Sequence, residues 1–422
     1  MKVILAAKSV YPFHPIGGVQ KYVYYYAQYL SKEGVDVEIV APLDEGRPRT
    51  EKKEGLTYTL LAPAIYSYLE YPIGWFGVHL FSSSLAKYLQ GISFDLLHSF
   101  DMTGYQYLKV KDRNPVVSQI YTDNYLCNPI ATWNFFNIFS LLGYNTKDIR
   151  QKKIKLSSSA DGRMILKFPA QYFFKIKPMS FCLDESDAIF LEDEIFRKDV
   201  VDLFNINPGK GYVVPVGVDV AFINAQASKH VISRQEIGFK DDDLILITVN
   251  RLAADKGVDQ VILALDLLKK EIPNVKLIII GQGYQEKELL KIIAEKGLSP
   301  YIRHYKHIPE EKLYAFYKIS DIYISAFSYP GSSLSTLEAM ACSLPIITTA
   351  QPWLVEDNKN GFFLKNNDPQ VIKEAVLNLV RQKALEFQGQ GSREKIKEYD
   401  WQVIVRKAKK QYETILKEKV RI

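Results

Sequence analysis

Residues 330–349, PGSSLSTLEAMACSLPIITT, join a loop of small residues to a short helical pattern and then an apolar run. Small residues let backbone N–H groups come close to a ligand. The spacing predicts a helix that begins near Ser335, and a helix N-terminus offers unpaired N–H groups and the positive end of the dipole. Ser332, Ser333, Leu334, Ser335 and Thr336 then line an anion site suited to phosphate, with Glu338 in the expected first turn, able to accept hydroxyl donors from a ribose or a sugar. The same residues have a reading without a ligand, because Ser335-x-x-Glu338 is a capping box. A second stretch points to the same chemistry. Arg251 and Lys256 follow the apolar run Leu244–Val249 and precede a helical pattern carried by Val258, Val261, Ile262, Leu265 and Leu268. That order puts both cations on a loop at the carboxyl end of a strand, the ligand-binding edge of an open α/β sheet. An arginine fork and a compact lysine charge suit a diphosphate; the alternative is a solvated loop.

Two further stretches of the N-terminal half have similar logic. A strand at Val3–Ala7 leads through Gly17 and Gly18 into a helix with Val19, Tyr22, Val23, Tyr26 and Leu30 on one face and Gly34 as its stop. Strand, glycine pair and helix again build an anion site, although the spacing is not that of a dinucleotide fingerprint. The run Asp95-Leu-Leu-His98 reads as a strand that ends at His98, so His98 and Asp101 are candidates for contact with an acceptor hydroxyl. A lone histidine at a strand end is more often structural.

Together these stretches resemble glycosyltransferase family 4, the retaining, nucleotide-sugar-dependent enzymes of GT-B fold. The resemblance runs through residues 249–258, 275–283, 302–309, 330–349 and 361–364 and continues into Asp400-Trp401. It implies two Rossmann-like parallel-sheet domains facing a central cleft, with hinge closure excluding water. The donor would lie mainly on the second domain, held by Gly281, Arg251, Lys256, residues 332–336 and Glu338, the last on the ribose. The segment containing His307 and Ile308 would read the base through its backbone, and Gly17 and Gly18 would approach the donor diphosphate. The resemblance also implies retention of configuration and no required metal or cofactor. Departures are specific. The first glutamate of the family's Glu-x7-Glu signature is Pro330 here, and its Pro-Glu after the next small-residue loop is Pro352-Trp353. The family's sugar-contacting histidine is Tyr121, with Asp123 two residues on as a catalytic candidate and Tyr121 itself near the acceptor. These changes leave two other readings open: a non-catalytic sugar-nucleotide-binding partner of an active transferase, and a GT-B nucleotide-sugar epimerase.

Length and composition agree with a two-domain enzyme. A chain of 422 residues exceeds one ordinary core. The alternation of short Val/Ile/Leu runs with helical patterns implies mostly parallel sheets with helices on both faces. The expected division is 1–218, an acceptor-binding domain; 219–395, a nucleotide-sugar-binding domain; and 396–422, a helix that packs back on the first domain. Three widely spaced cysteines, Cys127, Cys182 and Cys342, show no metal pattern and fit a reducing cytoplasm. The opening Met1–Ala7 reads as a strand, not a signal peptide. Residues 133–144 are apolar and aromatic, and nine Lys or Arg follow by Lys177 against Asp148 and Asp161. Such a segment fits anionic lipid headgroups at the inner face of a membrane, or a buried helix followed by a solvated basic loop. No nucleic-acid motif accompanies it, and a basic patch alone is non-specific. The expected activity is transfer of a hexose-type sugar from a nucleoside-diphosphate sugar to a glycan, a lipid-linked acceptor or another hydroxyl.

Overall fold

The computed structural model describes residues 1–14, 18–43, 48–63, 73–120, 173, 177–328 and 333–420. The chain forms two units, Met1–Val216 with Trp401–Ile422, and Gly217–Asp400. Residues 396–400 thus belong with the second unit, and the returning helix starts at Trp401. Gly17, Tyr121, Asp123, Cys127, Pro330 and Ser332 lie outside the described residues, as does the aromatic-basic segment 133–177 apart from Phe173 and Lys177.

The first unit holds strands β1 (Lys2–Ala6), β2 (Asp36–Leu43), β3 (Arg49–Lys53), β4 (Leu56–Pro63), β5 (Leu96–Phe100), β6 (Val116–Gln119), β7 (Ala188–Leu191) and β8 (Gly211–Val213). Their order is β3-β4-β2-β1-β5-β6-β7-β8, parallel throughout except for the β3–β4 pair. Central strands of a parallel sheet are covered on both faces, so they read as unbroken apolar runs such as Val3-Ile4-Leu5-Ala6. The helix Gly18–Lys32 buries Tyr22, Val23, Tyr26, Ala27, Tyr29 and Leu30, and Gly34 follows at φ +80°. The C-terminal helix Trp401–Val420 packs on it through Trp401, Ile404, Val405, Ala408 and Tyr412, all in the same core.

That core contains a polar chain. Tyr26 Oη and Tyr412 Oη are 2.6 Å apart, and Tyr412 Oη lies 2.5 Å from His98 Nδ1. Gln119 Nε2 donates to Tyr22 Oη at 2.7 Å. The expectation for His98 is corrected here: β5 continues two residues past it, so His98 is a mid-strand residue with no exposed surface, stacked on Phe100 at 4.4 Å. Through Tyr412 it anchors the C-terminal helix, and it has no surface at the strand's end. Asp101 does follow the strand, at φ +55°, where its carboxylate takes Lys8 Nζ at 2.9 Å.

The second unit holds β9 (Leu244–Val249), β10 (Val275–Ile280), β11 (Ile302–Tyr305), β12 (Ile322–Ser325), β13 (Ile346–Thr348) and β14 (Gly361–Phe363), ordered β11-β10-β9-β12-β13-β14 and parallel at every pairing. The strand order reverses between β9 and β12, and ligand sites of open α/β sheets form at such switch points. The helix Val258–Leu268 buries all five residues of its predicted stripe. A helix, Val220–Lys229, opens this unit, started by the Asp219 carboxylate, which accepts from Phe222 N at 2.7 Å. Cys182 and Cys342 are free and buried. Among the described residues no helix is long and apolar enough to cross a membrane.

Burial lowers the His98 pKa to about 3 from an ordinary value near 6.5. The unfolded chain therefore binds a proton below about pH 6.5 that the folded chain refuses until about pH 3, and this group's contribution to stability falls as pH falls through that window. We expect His98→Phe to cost less stability at pH 5 than at pH 7, by about 2 kcal/mol, measured by urea denaturation at both values. An identical cost at both would show that His98 is not held neutral.

Candidate functional site

The loop after β9 is shaped by backbone-to-backbone packing. Gly257 sits at φ +61° against the carbonyl of Ala326, where a Cβ would stand 1.8 Å from that oxygen. The neighbouring loop donates Ser328 N to Asp255 O at 2.9 Å, and Asn367 Nδ2 donates to the same Ala326 carbonyl at 3.1 Å. On the other side Gly281, at φ +143°, lets the chain after β10 pass under Asn250, where a Cβ would meet the carbonyl oxygen at 1.9 Å. Leu252 N then donates to Gln282 O at 3.0 Å, and Tyr284 Oη accepts from Ala254 N at 2.9 Å.

This frame holds two cations on one carboxylate. Asp255 Oδ2 is 3.2 Å from Lys256 Nζ, and its Oδ1 is 3.9 Å from Arg251 Nη2. Lys256 Nζ also lies 4.0 Å from the centre of the Phe327 ring, and the Arg251 side chain is 62% exposed. Exposed pairs of this kind add little to stability. Their consequence is orientation: one acidic side chain fixes two positive charges that would otherwise repel, leaving an excess of one positive charge facing solvent.

The helix after β12, Leu334–Ala341, differs from the expected start. Ser333 is the N-cap, its hydroxyl accepting from Thr336 N at 3.4 Å, so the Ser335/Glu338 capping box does not form. Thr336 occupies the third helical position, and Glu338 falls beyond the first turn. Its carboxylate instead accepts from Tyr317 Oη at 3.1 Å. Tyr317 is fully buried on the helix Glu310–Ile319, and burial, then the Glu338 charge, pushes its phenol pKa well up. The phenol therefore remains a donor at any working pH and steers the carboxylate. Tyr323, on β12, is buried too; burial raises its pKa while the hydroxyls of Thr336, Ser333 and Ser335 pull the other way.

The loop after β13 completes the edge. Thr349 N donates to Ser325 O at 3.1 Å, and Thr349 Oγ1 donates to Phe327 O at 2.6 Å. Loops after β9, β12 and β13 are thus stitched into one surface. Arg251, Lys256, Ser333, Leu334, Ser335, Thr336 and Glu338 lie on these loops or the helix they lead into. Gly281 borders them, and His304 Nε2 lies 2.8 Å from its carbonyl oxygen. His307 is exposed and Ile308 half-buried on the segment after β11. Gly18, His98 and Asp101 belong to the first unit, where Gly18 opens its helix. Sequence reasoning missed Asp255, although its place between two cations was a signal. It also missed Tyr317 and Phe327, which sit in apolar runs that give none. Among the described residues no three His, Cys, Asp or Glu side chains come together as metal ligands.

Two parallel-sheet α/β units with a returning C-terminal helix are the GT-B architecture of glycosyltransferases. Sucrose-phosphate synthase from Thermosynechococcus elongatus superposes with a TM-score of 0.73 over 99% of both chains at 14% identity. Anabaena HepE, solved with UDP-glucose, does so at 0.64 over 98% of this chain and all of the other, also at 14% identity. Residues 16–222 match the model of Glycosyltransferase Family 4, and residues 231–400 that of Glycosyl transferases group 1. The chain belongs to the family-4 type of GT-B glycosyltransferases. Relatives include the alpha-monoglucosyldiacylglycerol synthase of Acholeplasma laidlawii, 30% identical over 39% of this chain and 42% of its own length. An uncharacterized glycosyltransferase of Methanocaldococcus jannaschii is 29% identical over 66% of this chain and 72% of its own. The match thus spans less than half of the first of these relatives.

The frame makes a stability prediction. Gly257→Ala puts a methyl onto a carbonyl and strains a left-handed backbone, so it should destabilise the second unit by about 3 kcal/mol, read by thermal unfolding. A change below the error of the measurement would mean that the loop relaxes freely.

Proposed function

We propose that the chain transfers a hexose-type sugar from a nucleoside-diphosphate sugar to a hydroxyl acceptor, with retention of configuration. The observation that carries this reading is the pair of cations oriented by Asp255 beside a capped helix N-terminus, at the carboxyl edge of the second sheet. In the step proposed, the bond from the anomeric carbon to the diphosphate oxygen breaks, a bond to the acceptor oxygen forms, and the acceptor's proton passes to the departing diphosphate. Arg251, Lys256 and the N–H group at Ser335 meet the charge that develops on the leaving group, which is usually the largest electrostatic contribution to such a reaction. No metal or cofactor is assigned a part. Glu338, steered by Tyr317, takes the ribose hydroxyls. His307 and Ile308 border the base, and Gly281 gives it close approach to the backbone.

The acceptor falls to the first unit in this reading, beside Gly17, Gly18 and Asp101, with Tyr121 and Asp123 as further contributors. A glycan or lipid-linked acceptor is supported by the relative named for a glucosyldiacylglycerol. The basic excess of residues 147–177 supports contact with an anionic membrane face from the cytoplasmic side.

Ligand-induced thermal stabilisation by UDP, GDP and ADP and their common sugar conjugates tests the donor site. At a hundred times its dissociation constant the right nucleotide adds about 2.7 kcal/mol of stability, and Arg251→Ala should abolish most of it. In transfer assays the same substitution should raise the barrier by about 3 kcal/mol. Stabilisation without transfer to any acceptor would favour a non-catalytic sugar-nucleotide-binding protein. No stabilisation by any nucleotide would overturn the donor site. Tyr317→Phe should weaken nucleotide binding about fivefold, the loss of one hydrogen bond to a charged group less its replacement by water, and should leave binding of the 2′,3′-dideoxy nucleotide unchanged. Equal weakening of both would assign Tyr317 to packing alone.

A further inference from the structure

Gln351 stands three residues beyond the end of β13, on the same carboxyl edge. It is 3% exposed, with a backbone φ of +57°. A left-handed backbone is costly for a residue with a Cβ and free for glycine. Its side-chain oxygen Oε1 is buried and accepts no hydrogen bond from the described residues, whereas buried amide oxygens are nearly always satisfied. Two costs therefore meet in one residue, and nothing among the described residues offsets the second. Strain and unsatisfied polarity of this kind gather at ligand sites.

The surroundings narrow the ligand. Among the described residues Ser325 Oγ is likewise buried without a hydrogen-bond partner. Ser325 pairs with Thr348 in the sheet register and shares a strand face with Tyr323, whose phenol lies among the hydroxyls of Thr336, Ser333 and Ser335. The loop that carries Gln351 is fixed on both sides. Ala350 N donates to Thr348 Oγ1 at 3.0 Å, and Leu354 N donates to Gln351 O at 2.9 Å. Gln351 is two residues from Thr349, so their Cα atoms are at most about 7.6 Å apart. Thr349 in turn bonds the carbonyl of Phe327, whose ring lies under Lys256. Gln351 thus stands on a loop tied through Thr349 and the Phe327–Ser328 segment to the loop that carries the two cations.

We propose that Gln351 is a specificity-determining residue for the transferred sugar, its carboxamide hydrogen-bonding a hydroxyl of the glycosyl unit. The proposal rests on the donor reading above. The orphaned atom is an acceptor, and an ionised diphosphate carries only acceptors, so the missing partner must donate. A sugar hydroxyl donates and accepts, as a carboxamide does. The assignment also fits the sequence, which has Pro330 and Trp353 where a carboxylate could have recognised hydroxyls.

The test compares wild type with Gln351→Gly, which removes the amide and relieves the backbone, and with Gln351→Asn, which keeps the amide but draws it back. The nucleoside diphosphate that stabilises the wild type is measured alone and as conjugates of two sugars epimeric at one hydroxyl. We expect Gln351→Gly to unfold no lower than wild type and to bind the bare diphosphate within about twofold. Its kcat/KM ratio between the two epimeric donors should fall about tenfold, with Gln351→Asn between. An unchanged epimer ratio in Gln351→Gly overturns the proposal. So does an equal loss of affinity for bare and sugar-bearing diphosphate, which would place Gln351 on the phosphates. A wild-type protein that binds no nucleoside diphosphate is a different outcome, retiring the donor reading itself.

Discussion

The candidate site depends on backbone approaching backbone. At the carboxyl edge of the second sheet, the chain entering the helix Val258–Leu268 presses Gly257 against the Ala326 carbonyl, and the chain leaving β10 passes under Asn250 through Gly281. Neither crossing has room for a side chain. Loops that connect strands to helices usually have latitude, because they run over the surface with few constraints. Here they have little: each is pinned to its neighbour by a main-chain hydrogen bond or a glycine contact. The result is a loop surface whose main chain is fixed by the protein itself. Electrostatic stabilisation is effective in proportion to that preorganisation.

Charge at this edge is arranged by residues that need not touch a ligand. Asp255 gathers Arg251 and Lys256, and Tyr317 aims Glu338. The two devices differ in permanence. The Asp255 pair is partly exposed and yields easily to salt and to a competing anion. A diphosphate can therefore take both cations without breaking a strong internal bond. The Tyr317 bond is made by a fully buried donor, and a buried phenol left without an acceptor would be costly. Glu338 thus stays aimed. The two cations are held loosely and the Glu338 carboxylate firmly.

Much of this was legible in the sequence, and the parts that were not share a cause. The parallel sheets, the switch-point loop and the buried stripe of Val258, Val261, Ile262, Leu265 and Leu268 follow from periodicity and strand composition, which are local. The misplaced helix start is also local, but Ser333 and Ser335 are both competent caps. The choice between them depends on where the preceding loop delivers the chain. His98 was misread because strand length is set by pairing: β5 runs as far as Phe100 because Gln119 on β6 is there to pair with it. Tyr317 and Gln351 gave no signal at all, since their roles come from burial, backbone conformation and partners many residues away.

The first unit solves a different problem, which is where to put a C-terminal helix. An apolar stripe alone allows a helix to slide or turn on its partner, because hydrophobic contact is non-directional. The chain Tyr26–Tyr412–His98 removes that freedom. Tyr412 must meet a phenol on one side and a ring nitrogen on the other, at depths where a missed bond carries the full penalty of an unsatisfied buried polar group. A neutral His98 is part of the device, since Phe100, Phe190 and Tyr26 around it offer an imidazolium no counter-ion. The histidine that sequence suggested as a ligand contact is instead what gives the returning helix one register.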